Sequence, residues 1–171
     1  MDDLEGRKAL LDASGLKEGR ILDIGMGDCG CMSFFFARRG FDVIGIDHSP
    51  NAVHDSRKDA EKIKFSGTFE AKLANAENLP FSDNEFDAIS AYHSMHHIDD
   101  LDKAISEMFR VCKNSGLILI SDLHEEDRKT YEHEDDNGEF LRKLEEILSK
   151  HTNSIRKVRS KYNAMFICKK E

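Results

Sequence analysis

The stretch ILDIGMGDCG, residues 21–30, constrains the fold more than any other feature of the chain. An apolar, strand-like run leads directly into Gly25, Gly27 and Gly30, spaced G-x-G-x-x-G, and a helix-like run follows. Strand, tight glycine turn and helix in that order open an α/β unit whose turn faces a ligand. Glycine lets the backbone approach a bound group where a Cβ would intervene.

The alternation continues along the chain. Residues 20–24 read as a strand and 31–39 as a helix carrying Phe34, Phe35 and Phe36, with Gly40 as its stop. One or two of those rings are expected to pack on a sheet. Residues 42–46 read as a second strand. Ser49-Pro50 then supplies an N-cap and first-turn pair for a helix through about residue 64. Residues 69–74 and 86–91 read as a third and a fourth strand. Asp99 or Asp100 caps a helix whose Leu101, Ile105, Met108, Phe109 and Cys112 share one face, and Asn114-Ser115-Gly116 ends it. LILIS, 117–121, is apolar throughout, as a strand covered on both faces should be. Phe140, Leu141, Leu144, Ile147 and Leu148 mark a further amphipathic helix, and residues 155–169 read as two strands joined near Asn163. This pattern predicts an α/β fold with a doubly wound, mostly parallel sheet, helices on both faces and a C-terminal antiparallel hairpin strand. A chain of 171 residues supports one core, so a single domain over 1–171 is expected.

Composition narrows the setting. The formal net charge of −8 gives no indication of a nucleic-acid binder, which needs clustered Lys and Arg. No apolar run is long enough to span a membrane, and the charged N-terminus lacks a signal-peptide pattern, so a cytoplasmic location is expected. Cys29, Cys31, Cys112 and Cys168 are then expected as reduced thiols, and Cys29-x-Cys31 is too closely spaced for the usual zinc pattern. Residues 124–139 carry eight acidic side chains against two basic ones. Following the fifth strand, they are a candidate lid or substrate wall, although a charge run is more commonly just solvated.

The second strand ends in Asp47, 22 residues after Gly25. A carboxylate there can accept hydrogen bonds from both hydroxyls of an adenosine ribose. Glycine turn plus distal acid points to an adenosine-bearing cofactor, and both NAD and S-adenosylmethionine meet that description. Asp23 favours the second. An acid two residues before the loop is an odd neighbour for a pyrophosphate but is tolerable beside an ammonium and a sulfonium.

ILDIGMGDCG resembles the first motif of class I S-adenosylmethionine-dependent methyltransferases, and VIGIDHSPNAV resembles their second. LANAENLPFSDNEFDAISAYHSMHHIDD and AISEMFRVCKNSGLILISDL are similar to later blocks of the same superfamily, in family order over about residues 20–122. The style is that of the ubiquinone/menaquinone-biosynthesis group. The resemblance implies a Rossmann-like fold, with S-adenosylmethionine as cofactor and S-adenosylhomocysteine as product. It places Asp23, Gly25, Met26 and Gly27 beside the methionine moiety, with Asp47 at the ribose and His48 flanking the adenine. Asn75, Ala76 and Glu77 would follow the adenine edge, and Ala91, Tyr92 and His93 the floor near the methyl group. Two positions depart from the family pattern. Asn75 stands where Asp is usual, and Asn114-Ser115-Gly116 stands where Pro-Gly-Gly is usual.

Methyl transfer from a sulfonium relies on alignment, and some acceptors also need a base. His93 and His124 are the candidate bases, since both would lie on the cofactor side if the fourth and fifth strands are neighbours. His96 and His97 read better as structural. No metal site is expected, because the histidines lack a carboxylate or thiol at a familiar spacing. The expected function is methyl transfer to an unidentified acceptor. Two rivals are a non-catalytic methyltransferase-like binding or regulatory subunit and an NAD-dependent oxidoreductase. With room for only a short helix around residues 7–13 before the first strand, the site is expected to be open, or covered by residues 124–150, a second copy or a partner subunit.

Overall fold

A computed structural model describes residues 3–123, 138–160 and 163–171. Seven strands form one sheet: β1 Arg20–Ile24, β2 Asp42–Asp47, β3 Thr68–Leu73, β4 Phe86–Tyr92, β5 Cys112–Leu123, β6 Ile155–Arg159 and β7 Asn163–Lys169. Their order is β3-β2-β1-β4-β5-β7-β6. β7 alone runs against its neighbours, pairing antiparallel with both β5 and β6. The chain reverses direction across the sheet between β1 and β4, which pair in parallel. A doubly wound sheet opens its ligand crevice at such a switch point, at the carboxyl ends of the strands.

Local chemistry explains the helices. α1, Leu4–Ser14, starts where the Asp3 carboxylate accepts the Gly6 N–H at 2.9 Å and stops at Gly15 in a left-handed conformation. α2, Cys31–Ala37, is shorter than the nine residues expected. α3, Pro50–Ala60, has Ser49 accepting the Ala52 N–H at 3.3 Å with proline in the first turn, and it ends four residues early. α4, Leu101–Val111, is capped by Asp100, whose carboxylate accepts from Lys103 N at 3.0 Å. α5 is Glu139–Ser149.

Two apolar layers sandwich the sheet. On one face Leu22, Ile24 and Ile89 pack with Ile105 and Met108 of α4 and with Leu144 and Leu148 of α5. On the other, Ile21, Val43 and Leu119 pack with Leu10 of α1 and with Phe35 and Phe36 of α2. Each such buried aliphatic or aromatic side chain contributes about 1.5–3 kcal/mol. All three consecutive phenylalanines are buried: Phe36 meets Phe41, while Phe34 sets its ring against Phe69 at 4.9 Å.

Two expectations change. β5 begins at Cys112 rather than Leu117, because Phe86 pairs with Cys112 and Ala88 already pairs with Leu117, so residues 113–116 bulge between those two register points. Ser115 holds a positive φ of 64° in that bulge. Cys29 and Cys31 are joined in a disulfide, correcting the reading of reduced thiols. Gly30, at φ +52°, turns the chain so that the flanking Cα atoms lie 5.0 Å apart, within disulfide reach. Cys112 and Cys168 are free and buried, and burial pushes both thiols up to about 12. The acidic stretch lies outside the described residues up to position 137.

Candidate functional site

The glycine turn is fixed by its neighbour strand. Gly25 N and Met26 N both donate to the Ile46 carbonyl, at 2.9 and 3.0 Å. Gly25 (φ +69°) and Gly27 (φ +65°) occupy left-handed conformations for different reasons. A Cβ on Gly25 would sit 2.5 Å from Ser94 Cβ, so this glycine is needed for packing against the turn after β4. A Cβ on Gly27 would meet nothing within 4 Å and would project into open space.

That space is a cavity of about 590 Å³, within the range of small-molecule sites. Gly25, Gly27 and Ile24 border it from the first turn, and Ile46, Asp47 and His48 from the end of β2. Ala74, Asn75, Ala76 and Glu77 form the wall after β3, and His93, Ser94, His97, Ile98 and Asp99 the wall after β4. The crevice therefore brings together Gly25, Gly27, Asp47, His48, Asn75, Ala76, Glu77 and His93, eight of the residues singled out from sequence.

Asp47 is the best-held polar group in the cavity. One carboxylate oxygen accepts from Gly27 N at 3.0 Å and the other from Ser49 N at 2.9 Å. Each oxygen retains a further lone pair. His48 is largely exposed, with Nδ1 3.6 Å from Asp47 Oδ1. Asn75 accepts from Glu77 N at 2.8 Å through Oδ1, closing a tight local turn. Its oxygen keeps one further lone pair, and its NH2 can donate. Glu77 in turn accepts from Asp100 N at 3.1 Å, tying the wall after β3 to the start of α4.

Four expected site residues stand outside the cavity. Asp23 is buried on the α2 face of β1, because strand side chains alternate and Ile24, one residue on, faces the cavity side. Ser33 Oγ donates to it at 2.6 Å. Burial pushes its carboxyl up to about 6, against the pull of the Ser33 hydrogen bond. Met26 is buried against Val53 and Ala71. Ala91 is fully buried in the sheet. Tyr92 turns its hydroxyl to Asp3 at the start of α1. His124 lies outside the described residues. His96, beside His97, does not line the cavity; its Nδ1 is 3.0 Å from both oxygens of the buried Asp122.

Sequence reasoning missed Ser94, His97, Ile98 and Asp99. These residues occupy the 3-10 turn Met95–His97 and its flanks, where periodicity carries no signal. Ser94 donates to the Ile24 carbonyl at 2.8 Å and so clamps this turn to β1.

A family model described as a methyltransferase domain matches residues 22–120, more than half of the chain. The chain belongs to the class I S-adenosylmethionine-dependent methyltransferase family. It is 32% identical over 117 residues to the ubiquinone/menaquinone biosynthesis C-methyltransferase UbiE of Edwardsiella ictaluri, covering 67% of this chain and 47% of that protein. It is 31% identical over 117 residues to the demethylmenaquinone methyltransferase of Renibacterium salmoninarum, covering 68% and 46%. The chain thus spans about half the length of these curated relatives. The solved structure of a SAM-dependent methyltransferase from Aquifex aeolicus superposes with a TM-score of 0.76 at 23% identity, covering 96% of this chain and 89% of that one, and bears on the fold.

The cavity suits the family's cofactor. Asp47, Glu77 and Asp99 are its charged side chains among the described residues, and no Lys or Arg lines it. A pyrophosphate would meet carboxylates without a cationic partner, whereas an ammonium and a sulfonium are complementary to them. Asp23, expected to supply this discrimination, does not line the cavity.

Proposed function

We propose that this chain binds S-adenosylmethionine in the cavity at the β1–β4 switch point and transfers its methyl group to an acceptor, leaving S-adenosylhomocysteine. The observation that carries the reading is the Asp47 carboxylate, held by Gly27 N and Ser49 N and facing an acid-lined cavity. Asp47 would accept the two ribose hydroxyls on its remaining lone pairs. Ile46, Ala74, Ala76 and Ile98 supply apolar surface for a purine ring, with the Asn75 amide at its edge. Gly27 leaves room for the chain of the amino acid moiety. When bound, the cofactor supplies a methyl group already activated by its sulfonium. The protein's own task is then alignment and exclusion of water, and alignment alone can supply up to about 7–11 kcal/mol.

The similarity to ubiquinone/menaquinone C-methyltransferases, near one third identity over about half of those proteins, directs the first acceptor trials to quinol ring carbons. No helix among the described residues is long and apolar enough to cross a membrane.

Titration calorimetry with S-adenosylmethionine, S-adenosylhomocysteine and NADH tests the reading, with Asp47→Ala and the milder Asp47→Asn as controls whose folding is checked by circular dichroism. The sulfur ligands should bind saturably. Hydrogen bonds to a charged group are worth about 1.5–3 kcal/mol, so Asp47→Ala should weaken binding about tenfold to hundredfold. Binding of NADH alone would sink the proposal. A folded chain that binds none of the three would move the non-catalytic subunit to the front.

A further inference from the structure

His93 directly follows β4 in a left-handed backbone conformation, φ +53°. A non-glycine residue stays there only where its surroundings hold it, and such outliers gather at functional sites. Three contacts hold this one. Its N–H donates to the Ser121 carbonyl at 2.8 Å, its ring stacks on Tyr92 at 4.4 Å between centroids, and its Nε2 hydrogen-bonds Asn163 Oδ1. His93 lines the cavity together with Ser94 and Gly25.

The proton on that ring can be assigned from its partners. Asn163 is fully buried at the start of β7. Its Nδ2 lies 2.6 Å from Asp3 Oδ2 and 3.4 Å from Tyr92 Oη. Burial pushes the Asp3 carboxyl up, but hydrogen bonds from Tyr92, Asn163 and Gly6 outweigh it and hold the group below its usual value. Asp3 is therefore an ionised carboxylate and can only accept, so the Asn163 NH2 must face it. The Asn163 oxygen is then left facing His93 and must receive a proton. A neutral imidazole has one N–H, which this arrangement places on Nε2. The lone pair is left on Nδ1, and among the described residues nothing hydrogen-bonds that atom.

We propose that Asp3 and Asn163 are positioning residues that hold His93 as its Nε2–H tautomer, so that Nδ1 serves as the proton acceptor at the cavity, and that the methyl acceptor belongs to the class that gives up a proton: an O–H, an N–H or an activated C–H. This rests on the methyltransferase reading above. In the step, the acceptor atom bonds to the methyl carbon as the carbon–sulfur bond breaks, with its electron pair left on sulfur. The acceptor's proton passes to His93 Nδ1 and from there to water. The products are the methylated acceptor, a neutral thioether and one proton.

The test reads the ring nitrogens directly and needs neither cofactor nor acceptor. Long-range 1H–15N correlation spectra of the full chain, followed through a pH titration, should show neutral His93 in one tautomer, protonated at Nε2. Asp3→Asn keeps an equally good cap for α1, because Asn and Asp rank together at that position. An amide at position 3 can also donate, which frees Asn163 to turn over and hand its own N–H to His93. The single-tautomer pattern should therefore be lost in Asp3→Asn, with the Nδ1–H form appearing. A merely structural role for Asp3 predicts no such change. An Nδ1–H pattern in the wild type, or an unchanged single tautomer in a folded Asp3→Asn, would overturn the proposal. Should Asp3→Asn fail to fold, the wild-type spectrum decides alone. Failure to bind S-adenosylmethionine would overturn the methyltransferase reading while leaving this spectrum as it is, so the two failures are separable.

Discussion

Asp23 shows how one buried side chain sets a pH response. Its carboxyl sits near 6 in the folded chain against 3.8 in the unfolded one. Between those values the native state holds a proton that the unfolded state releases, so the stability from this residue is fully present below about pH 4. It is lost as pH rises towards 6 and is level above that. At about 1.4 kcal/mol per unit of pKa, the loss is at most about 3 kcal/mol. Asp23→Asn should remove this dependence: urea denaturation should find it more stable than wild type by about 1–3 kcal/mol at pH 8, and little different at pH 4. A gain of equal size at both pH values would sink the idea. Ser115 offers a second residue-scale check. It holds φ +64° in the bulge of β5, a conformation that glycine adopts without the penalty a Cβ incurs. Ser115→Gly should raise stability by about 0.5–1 kcal/mol in the same assay.

The element that matters most is the turn between β1 and α2, whose two leading glycines do different work. Both replacements by alanine incur the left-handed penalty of about 1–2 kcal/mol. Gly25→Ala adds a collision with Ser94, itself bonded to the Ile24 carbonyl, so it should lower the melting temperature more than Gly27→Ala. Gly27→Ala should instead weaken cofactor binding more than its modest loss of stability would suggest, because its methyl group enters the cavity. Paired thermal melts and calorimetry separate the two; equal effects on both readouts would show the glycines to be equivalent. The glycine spacing was legible in sequence, and so was Asp47, because a motif at a strand end reports backbone position. The direction of Asp23 was less so. A motif says that an acid precedes the loop, but the pleat decides which face of β1 it takes.

At the scale of the whole molecule, α1 closes the structure by docking on the C-terminal hairpin. Gly6 lies so near the Asp3, Tyr92 and Asn163 side chains that a Cβ would fall 2.3–2.4 Å from all three. Gly6→Ala should cost about 1–3 kcal/mol by overpacking, read as a lower melting temperature. Ligand linkage gives the converse measurement: S-adenosylhomocysteine at about a hundredfold over its Kd should add about 2.7 kcal/mol, or some 5–10 °C in Tm. The sequence by itself determined the strand–helix alternation, the glycine turn, the acid at the end of β2 and the antiparallel end of the sheet. Each of these is written in local periodicity or in a short motif, which needs no knowledge of distant partners. Tertiary structure alone decided the rest. It placed Ser94, His97 and Asp99 on the cavity wall and joined Asp3, Tyr92, His93 and Asn163 into one hydrogen-bonded set spanning 160 residues of chain. Such contacts depend on the strand order β1-β4-β5-β7, which brings Asp3 and the start of β7 at Asn163 together at the carboxyl edge of β4.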